Sequence, residues 1–310
     1  MAPDIRLTKK LTPAILGQGA DLIGVAPVER FAGAPEGYGP LDYMPSAKNV
    51  ISIAVHLTDG VCDVWGEYTE PGKTIGPYLF YGYGLPNLEL GRIAHWAARR
   101  LEYLGYKSLI FPPTWRIASY RWEGLREGEP KADFSHRHAA VAAGLGELGW
   151  SGLVMTSAFG ARARFNSIIT DAPLVPTPMY QGPTLCQPKR CRYLCVRKCP
   201  AQALSTNRTM EVNIGERSFT YSHTDKTRCR YGLGALVKGS GSYGGIEIPP
   251  GPGQEEHLRG ADKQRHPLDQ AMRTDSKGII CGNFCGRCLH ECPAHIYSRT
   301  DVKLRRSRKG

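Results

Sequence analysis

The chain has 310 residues, 41% of them hydrophobic, and a formal net charge of +12. That length and apolar content suit one large or two modest domains able to bury a core without staples. No stretch approaches the ~20 uninterrupted apolar residues of a bilayer span. The opening MAPDIRLTKKLTPAIL has neither a cleavage site after an apolar core nor a twin-arginine pair, so a cytoplasmic protein with no membrane partner is expected.

In chain order, residues 8–19 read as an amphipathic helix, and 21–28 and 49–57 as buried strands rich in Val and Ile. Residues 67–87 hold too much Gly and Tyr for a regular element and read as a long loop with a binding role, in which Tyr78, Tyr81 and Tyr83 form a lid. Helical spacing runs from Leu88 to Leu104 and ends at Gly105, and a strand is expected at 107–113. Residues 135–149 predict a small-residue helix with Ser135 as its N-cap, whose alanines and glycines let a flat object or another backbone approach closely. Residues 151–171 look like a hairpin. The Pro-rich stretch 172–183 then marks a boundary between a domain at 1–180 and a cysteine-rich one at 181–300. The second domain carries a long insert, 200–280, and a basic tail follows at 301–310.

Eight of the ten cysteines fall in two runs. One is Cys186-QPKR-Cys191-RYL-Cys195-VRK-Cys199-Pro200, the other Cys281-GNF-Cys285-GR-Cys288-LHE-Cys292-Pro293. In a reducing compartment such density points to metal rather than disulfides. Dicluster ferredoxins use C-x2-C-x2-C-x3-C-P, the fourth cysteine serving the other cluster, whereas zinc ribbons pair CxxC knuckles across a spacer. By that geometry Cys186, Cys191, Cys195 and Cys292 hold one 4Fe-4S cluster, and Cys281, Cys285, Cys288 and Cys199 hold the other. Cys62 and Cys229 lie apart, and Cys229 reads as a buried thiol. An oxidised four-thiolate cluster carries about −2, so two of them lower the effective charge to roughly +8. The remaining excess fits a basic rim for an anionic ligand or an acidic electron donor as well as it fits RNA. With 185 residues ahead of Cys186, the clusters are expected to feed something held by the N-terminal part.

The run HAAVAAGLGELGWSGLVMT, followed by GARARFNSIITDAPL and then a cysteine motif, resembles the family of epoxyqueuosine reductase and the corrinoid-dependent reductive dehalogenases. GADLIGVAPVERF and MPSAKNVISIAV are similar to that family's opening segments, so the likeness runs from about Gly19 to Pro293. The resemblance implies an α+β fold: a nitroreductase-like cobalamin-binding domain followed by a dicluster ferredoxin-like module. It implies two 4Fe-4S clusters that bring the cobalt of a cobalamin to Co(I), electrons from reduced ferredoxin or flavodoxin, and a small or tRNA-borne substrate. Flavin, common in nitroreductase-like folds, is the second choice of cofactor. An electron-transfer protein that reduces a corrinoid or flavin on a partner is the rival function. Epoxyqueuosine reductases usually continue past the clusters into helical repeats that help grip tRNA, and none is expected in the residues that follow Cys292 here.

Such chemistry needs a proton source. Asp133 lies near, but out of register with, the place just ahead of the 135–149 helix where the family keeps its donor aspartate; the alternative is an i,i+4 pair with Arg137. His136 and Tyr120 are the other candidate donors, against a helix-start polar residue and a packed aromatic. His138, two residues on, faces another side of the helix and is assigned to the cofactor. Arg162 and Arg164 point to one face of a strand and, with Phe165 and Tyr81, are candidates to grip the cofactor; a solvated strand face is the alternative. Gly232 and Gly234, with Gly239 and Gly241, allow backbone to approach a cofactor or simply form a surface loop.

Overall fold

The computed structural model describes residues 2–67, 77–114, 133–233, 237, 239 and 285–296. Among these, no helix is long and apolar enough to cross a membrane.

Helix α1 (Ile5–Leu16) starts three residues earlier than its spacing predicts, because Asp4 caps it, Oδ1 accepting from Leu7 N at 2.9 Å. Strands β1 (Leu22–Pro27) and β2 (Asn49–His56) fall where they are expected and pair antiparallel. A short helix, α2 (Asp59–Glu67), follows. The segment read as a loop is partly outside the described residues; the rest, Tyr78–Gly84, is a π-helical turn running straight into α3 (Leu85–Tyr103).

The wide turn has a covalent cause. In an α-helix the Gly82 carbonyl would accept from the residue at 86, which is Pro86 and has no N–H. Arg164 Nε donates to the Gly82 carbonyl instead, at 3.3 Å, and Leu85 N reaches back five residues to Phe80. The turn also holds Tyr78 against Gly82, where an added Cβ would lie 2.4 Å from the Tyr78 ring.

Strand β3 (Ser108–Ile110) is a short edge strand. Helix α4 (His136–Ala142) has Ser135 as N-cap, as expected, but stops well short of residue 149 because Gly144 takes a left-handed φ of +78°. The chain then forms β4 (Glu147–Leu148) and β5 (Val154–Met155), paired with each other. Strand β6 (Ala163–Thr170) does not fold back on β5 as a hairpin. It inserts between β2 and β3, giving a four-stranded antiparallel sheet of order β1-β2-β6-β3. Nearly every β6 residue is buried, so the strand needs neighbours on both edges and cover on both faces.

That cover makes three layers. Ile51, Ile53, Val55 and Ile168 pack against Leu90, Ile93, Ala97 and Leu101 of α3 and Leu11 and Ile15 of α1. The opposite face, with Ala54 and Phe165, meets Ala140–Ala143 at α4. The small residues of α4 serve backbone approach: a Cβ on Gly24 of β1 would lie 2.1 Å from the Ala143 carbonyl oxygen. The Pro-rich stretch is fastened to β1, with Thr177 N donating to Val25 O at 2.8 Å and Val25 N to Thr177 Oγ1 at 3.0 Å.

Beyond it, β7 (Thr209–Ile214) and β8 (Arg217–Ser222) form a hairpin that the insert was not expected to contain. Its two-residue turn places Gly215 at φ +56°. Helix α5 (Lys226–Leu233) and the short α6 (Arg287–His290) complete the described elements.

Candidate functional site

The cysteines collect at the end of the layered core. Four line one hollow, Cys186, Cys191, Cys195 and Cys292, with Trp150, Met155, Pro188, Leu194 and Pro293 as an apolar collar. The β4 turn sets this hollow. Glu147, only 5% exposed, accepts from Leu185 N at 2.6 Å and Cys186 N at 3.1 Å, and pairs with Arg217 at 3.5 Å. Trp150 N donates to Cys186 Sγ at 3.2 Å, and Cys292 Sγ lies 3.9 Å from Met155 Sδ. The long gaps of the first motif are taken up by consecutive left-handed residues, Arg192 and Tyr193, at φ +52° and +53°.

A second set forms around Cys199, Cys229, Cys285 and Cys288. Cys199 and Cys229 pack together against Ala201, Ala203 and Val237, and Ala203 N donates to Cys199 Sγ at 3.3 Å. Burial and then the neighbouring Cys199 and Cys229 push the Cys285 thiol up to about 12, and burial followed by Cys285, Cys229 and Cys199 raises Cys288 further. In the first set, burial and then Cys186, Cys292 and Cys191 raise Cys195 to about 12, and Cys292 likewise feels Cys186 and Cys191. Cys195 and Cys292 therefore sense members of the first set, and Cys285 and Cys288 members of the second. Among the described residues no three side chains are placed to hold a single metal ion. A four-iron cluster needs a different cradle, with one thiolate on each iron around a box, and each set supplies four thiols for it.

Cys292 lies with the first motif and Cys199 with the second. Cys229, read from the sequence as a buried thiol, lies beside Cys199, Cys285 and Cys288. Cys281, assigned to that place, lies outside the described residues, as do Tyr120 and Gly234. Gly232 is brought to the second set, where an added Cβ would lie 3.2 Å from Ala201 Cβ and 3.9 Å from Cys285 Sγ.

The second set is wedged against the core. Tyr78 meets His290 edge-on at 4.4 Å, and His290 Nδ1 lies 3.0 Å from the Cys62 carbonyl. Burial drives the His290 pKa down to about 3, so the ring is neutral.

The other candidates divide between the two faces of the sheet. Arg162 is buried, at 2% exposed, and its fork is held by Asp59 at 2.8 Å and Asp63 at 2.5 Å; Arg164 lies 3.9 Å over the Tyr83 ring. Neither belongs to a solvated strand face. Phe165 points the other way, into the cluster beneath α4. Tyr81 is 56% exposed, whereas Tyr78 and Tyr83 are buried, so only Tyr81 of the three faces outward.

At the start of α4, His136 bridges Ser167 Oγ at 3.0 Å and the Pro112 carbonyl at 3.1 Å, and burial lowers its pKa to about 4. His138 Nδ1 meets Ser135 Oγ at 2.5 Å, and burial followed by Arg137 lowers its pKa to about 4. Tyr43 donates to the Asp133 carbonyl, leaving the half-buried carboxyl for other partners; Arg137 donates to the Gly152 carbonyl at 3.1 Å rather than to Asp133. The structure thus gathers Asp133, His136 and His138 together and leaves Arg162 and Arg164 on the opposite face.

No protein-family model matches the chain. The tetrachloroethene reductive dehalogenase of Dehalobacter restrictus is 35% identical over 97 residues, which are 29% of this chain and 17% of that protein. The chain therefore spans about a sixth of the length of the curated relatives it matches. Among solved structures, the catabolic reductive dehalogenase NpRdhA superposes over 98% of this chain and 36% of its own, with a TM-score of 0.57 and 17% identity. A reductive dehalogenase described for B12-dependent dehalogenation gives 0.56 and 16%, over 99% and 36%. An epoxyqueuosine reductase with a tRNA stem loop reaches only 0.45, over 64% of this chain. The chain carries a fold like that of the reductive dehalogenases over nearly its whole length.

Proposed function

We propose that the chain is a cobalamin-dependent iron–sulfur reductase, an oxidoreductase with two 4Fe-4S clusters. The observation that carries this is the division of the described thiols into two sets of four, each containing the last cysteine of the other motif's run. Cys186, Cys191, Cys195 and Cys292 would hold one cluster; Cys199, Cys229, Cys285 and Cys288 would hold the other. When bound, the clusters supply single electrons and a corrinoid in the N-terminal domain supplies a strongly reducing metal centre.

The chain's own residues do the rest. Packed thiols held near 12 by burial and by one another stay protonated without iron, so loading each cluster releases protons. Asp133 is the proton donor of this reading, because both ring nitrogens of His136 are already engaged and its ring stays neutral. His138, its Nδ1 turned to Ser135, offers only Nε2 to a cofactor. Electrons would come from a reduced ferredoxin or flavodoxin. The substrate is a small molecule to be reductively cleaved or a tRNA-borne group, and the fold similarity to dehalogenases favours the former.

Anaerobic reconstitution tests this. About eight irons per chain and a stoichiometric corrinoid spectrum after cobalamin addition are expected. Eight irons with no bound corrinoid or flavin would instead establish an electron-transfer protein acting on a partner. Binding to tRNA that weakens steeply with salt would favour the tRNA-borne substrate.

A further inference from the structure

The first cysteine run is unusual in charge. Between Cys186 and Pro200 stand five cations and no carboxylate: Lys189, Arg190, Arg192, Arg197 and Lys198. All five are exposed, and they are interleaved in the chain with Cys186, Cys191 and Cys195, which line a hollow together with Cys292. Among the described residues, Glu147 is engaged by Arg217 at 3.5 Å and Glu291 by Arg287 at 3.2 Å, which leaves neither acid to Lys189, Arg192, Arg197 or Lys198. A bound cluster contributes about −2 against these four cations, so the face remains about +2. The same hollow has the apolar collar of Trp150, Pro188 and Leu194, over which a protein surface can approach without trapping charge. A small apolar centre beside like charges suits brief, electrostatically steered encounters, which need little buried area.

We infer that this face is the electron entry port, a docking surface for an acidic one-electron carrier protein. This deepens the proposed function and rests on its cluster reading. In each encounter the reduced carrier loses one electron and the oxidised first cluster gains it; no bond forms or breaks and no proton moves. An RNA backbone would use the cations but has no need of the collar.

The test is stopped-flow reduction of the reconstituted full chain by a reduced acidic plant-type ferredoxin, compared with reduction by dithionite. The triple variant Lys189→Glu, Arg192→Glu, Arg197→Glu should react at least about tenfold more slowly with ferredoxin at low salt, since steering contributes roughly 10- to 1,000-fold. Its dithionite rate and iron content should match the parent, and Lys9→Glu, Lys10→Glu on α1 should change neither rate. Should the triple variant lose iron, the parent's salt dependence decides: a ferredoxin rate that falls steeply with ionic strength supports the port, and a flat one overturns it. An unchanged ferredoxin rate in the triple variant overturns it too, as does loss of tRNA binding alone in that variant. Failure of dithionite to bleach any cluster would overturn the cluster reading itself, a result distinct from loss of the ferredoxin rate alone.

Discussion

The two thiol sets share ligand type and number but sit in opposite surroundings. The first lies in a basic, solvent-facing loop whose backbone carries two left-handed residues and whose entrance is pinned by a buried carboxylate. The second lies against the core, with α6 lodged between α2 and the π-helical turn through Tyr78 and His290. Potential, access and stability of an iron–sulfur centre follow from burial and hydrogen bonding to sulfur. Under the proposed function, electrons would enter at the first set and leave from the second, which touches the layered core.

The largest expected effect separates Cys229 from Cys281. Cys229→Ser should halve the iron content, to about four per chain, while Cys281→Ser leaves about eight. Iron analysis with EPR of the reduced protein reads the result directly, and the reverse pattern would return Cys281 to the second set. Next is the support under that set. Arg162 ties Asp59 and Asp63 of α2, against which α6 packs. Arg162→Gln should lower the stability of the cofactor-free protein by about 2–3 kcal/mol, less than a fully buried pair because Asp63 is half exposed. If instead only cofactor affinity falls, with unfolding by urea unchanged, Arg162 is a cofactor ligand and not a strut.

A smaller effect is expected at the first set. Glu147→Gln removes a carboxylate beside Cys186 while keeping an amide oxygen for Leu185 N and Cys186 N. The first cluster should become easier to reduce, with a stability loss of about 1–2 kcal/mol from the charge-assisted hydrogen bonds. Redox titration followed by EPR should show one cluster moved and the other not. Equal movement of both would mean that the two sets are less separate than their surroundings indicate.

Much of this was legible in the sequence, for identifiable reasons. Strands β1 and β2 are unbroken apolar runs, and the alanines of α4 follow a good cap, so local pattern and tertiary role agree. The exchange of Cys199 and Cys292 follows from the proline-closed spacing. Three features were hidden by non-local causes. The π-helical turn depends on Pro86 denying Gly82 a donor and on Arg164, eighty-two residues from Gly82, supplying one. Strand β6 looks like a hairpin arm until its burial on both faces demands two neighbours. Cys229 comes beside Cys199, Cys285 and Cys288, which are all distant from it in the chain, and only folding assembles them.

The second set carries one further consequence, in acid. His290 is buried and its pKa stands at about 3, below the ordinary value near 6.5 of the unfolded chain. Between those values the unfolded chain binds a proton that the folded chain does not. Stability from this group is therefore complete above about pH 6.5 and is lost as the pH falls toward 3, by up to about 1.4 kcal/mol per pH unit. His136 and His138, also lowered, act in the same direction at α4, away from the thiols. Hydrogen exchange on the cofactor-free protein separates the two places. Lowering the pH from 7 to 5 should open the α2–α6 contact in the parent, and His290→Gln should remove that pH dependence while leaving the response at α4. If the α2–α6 amides respond to pH equally in parent and variant, the neutral His290 is not what locks the second set to the core.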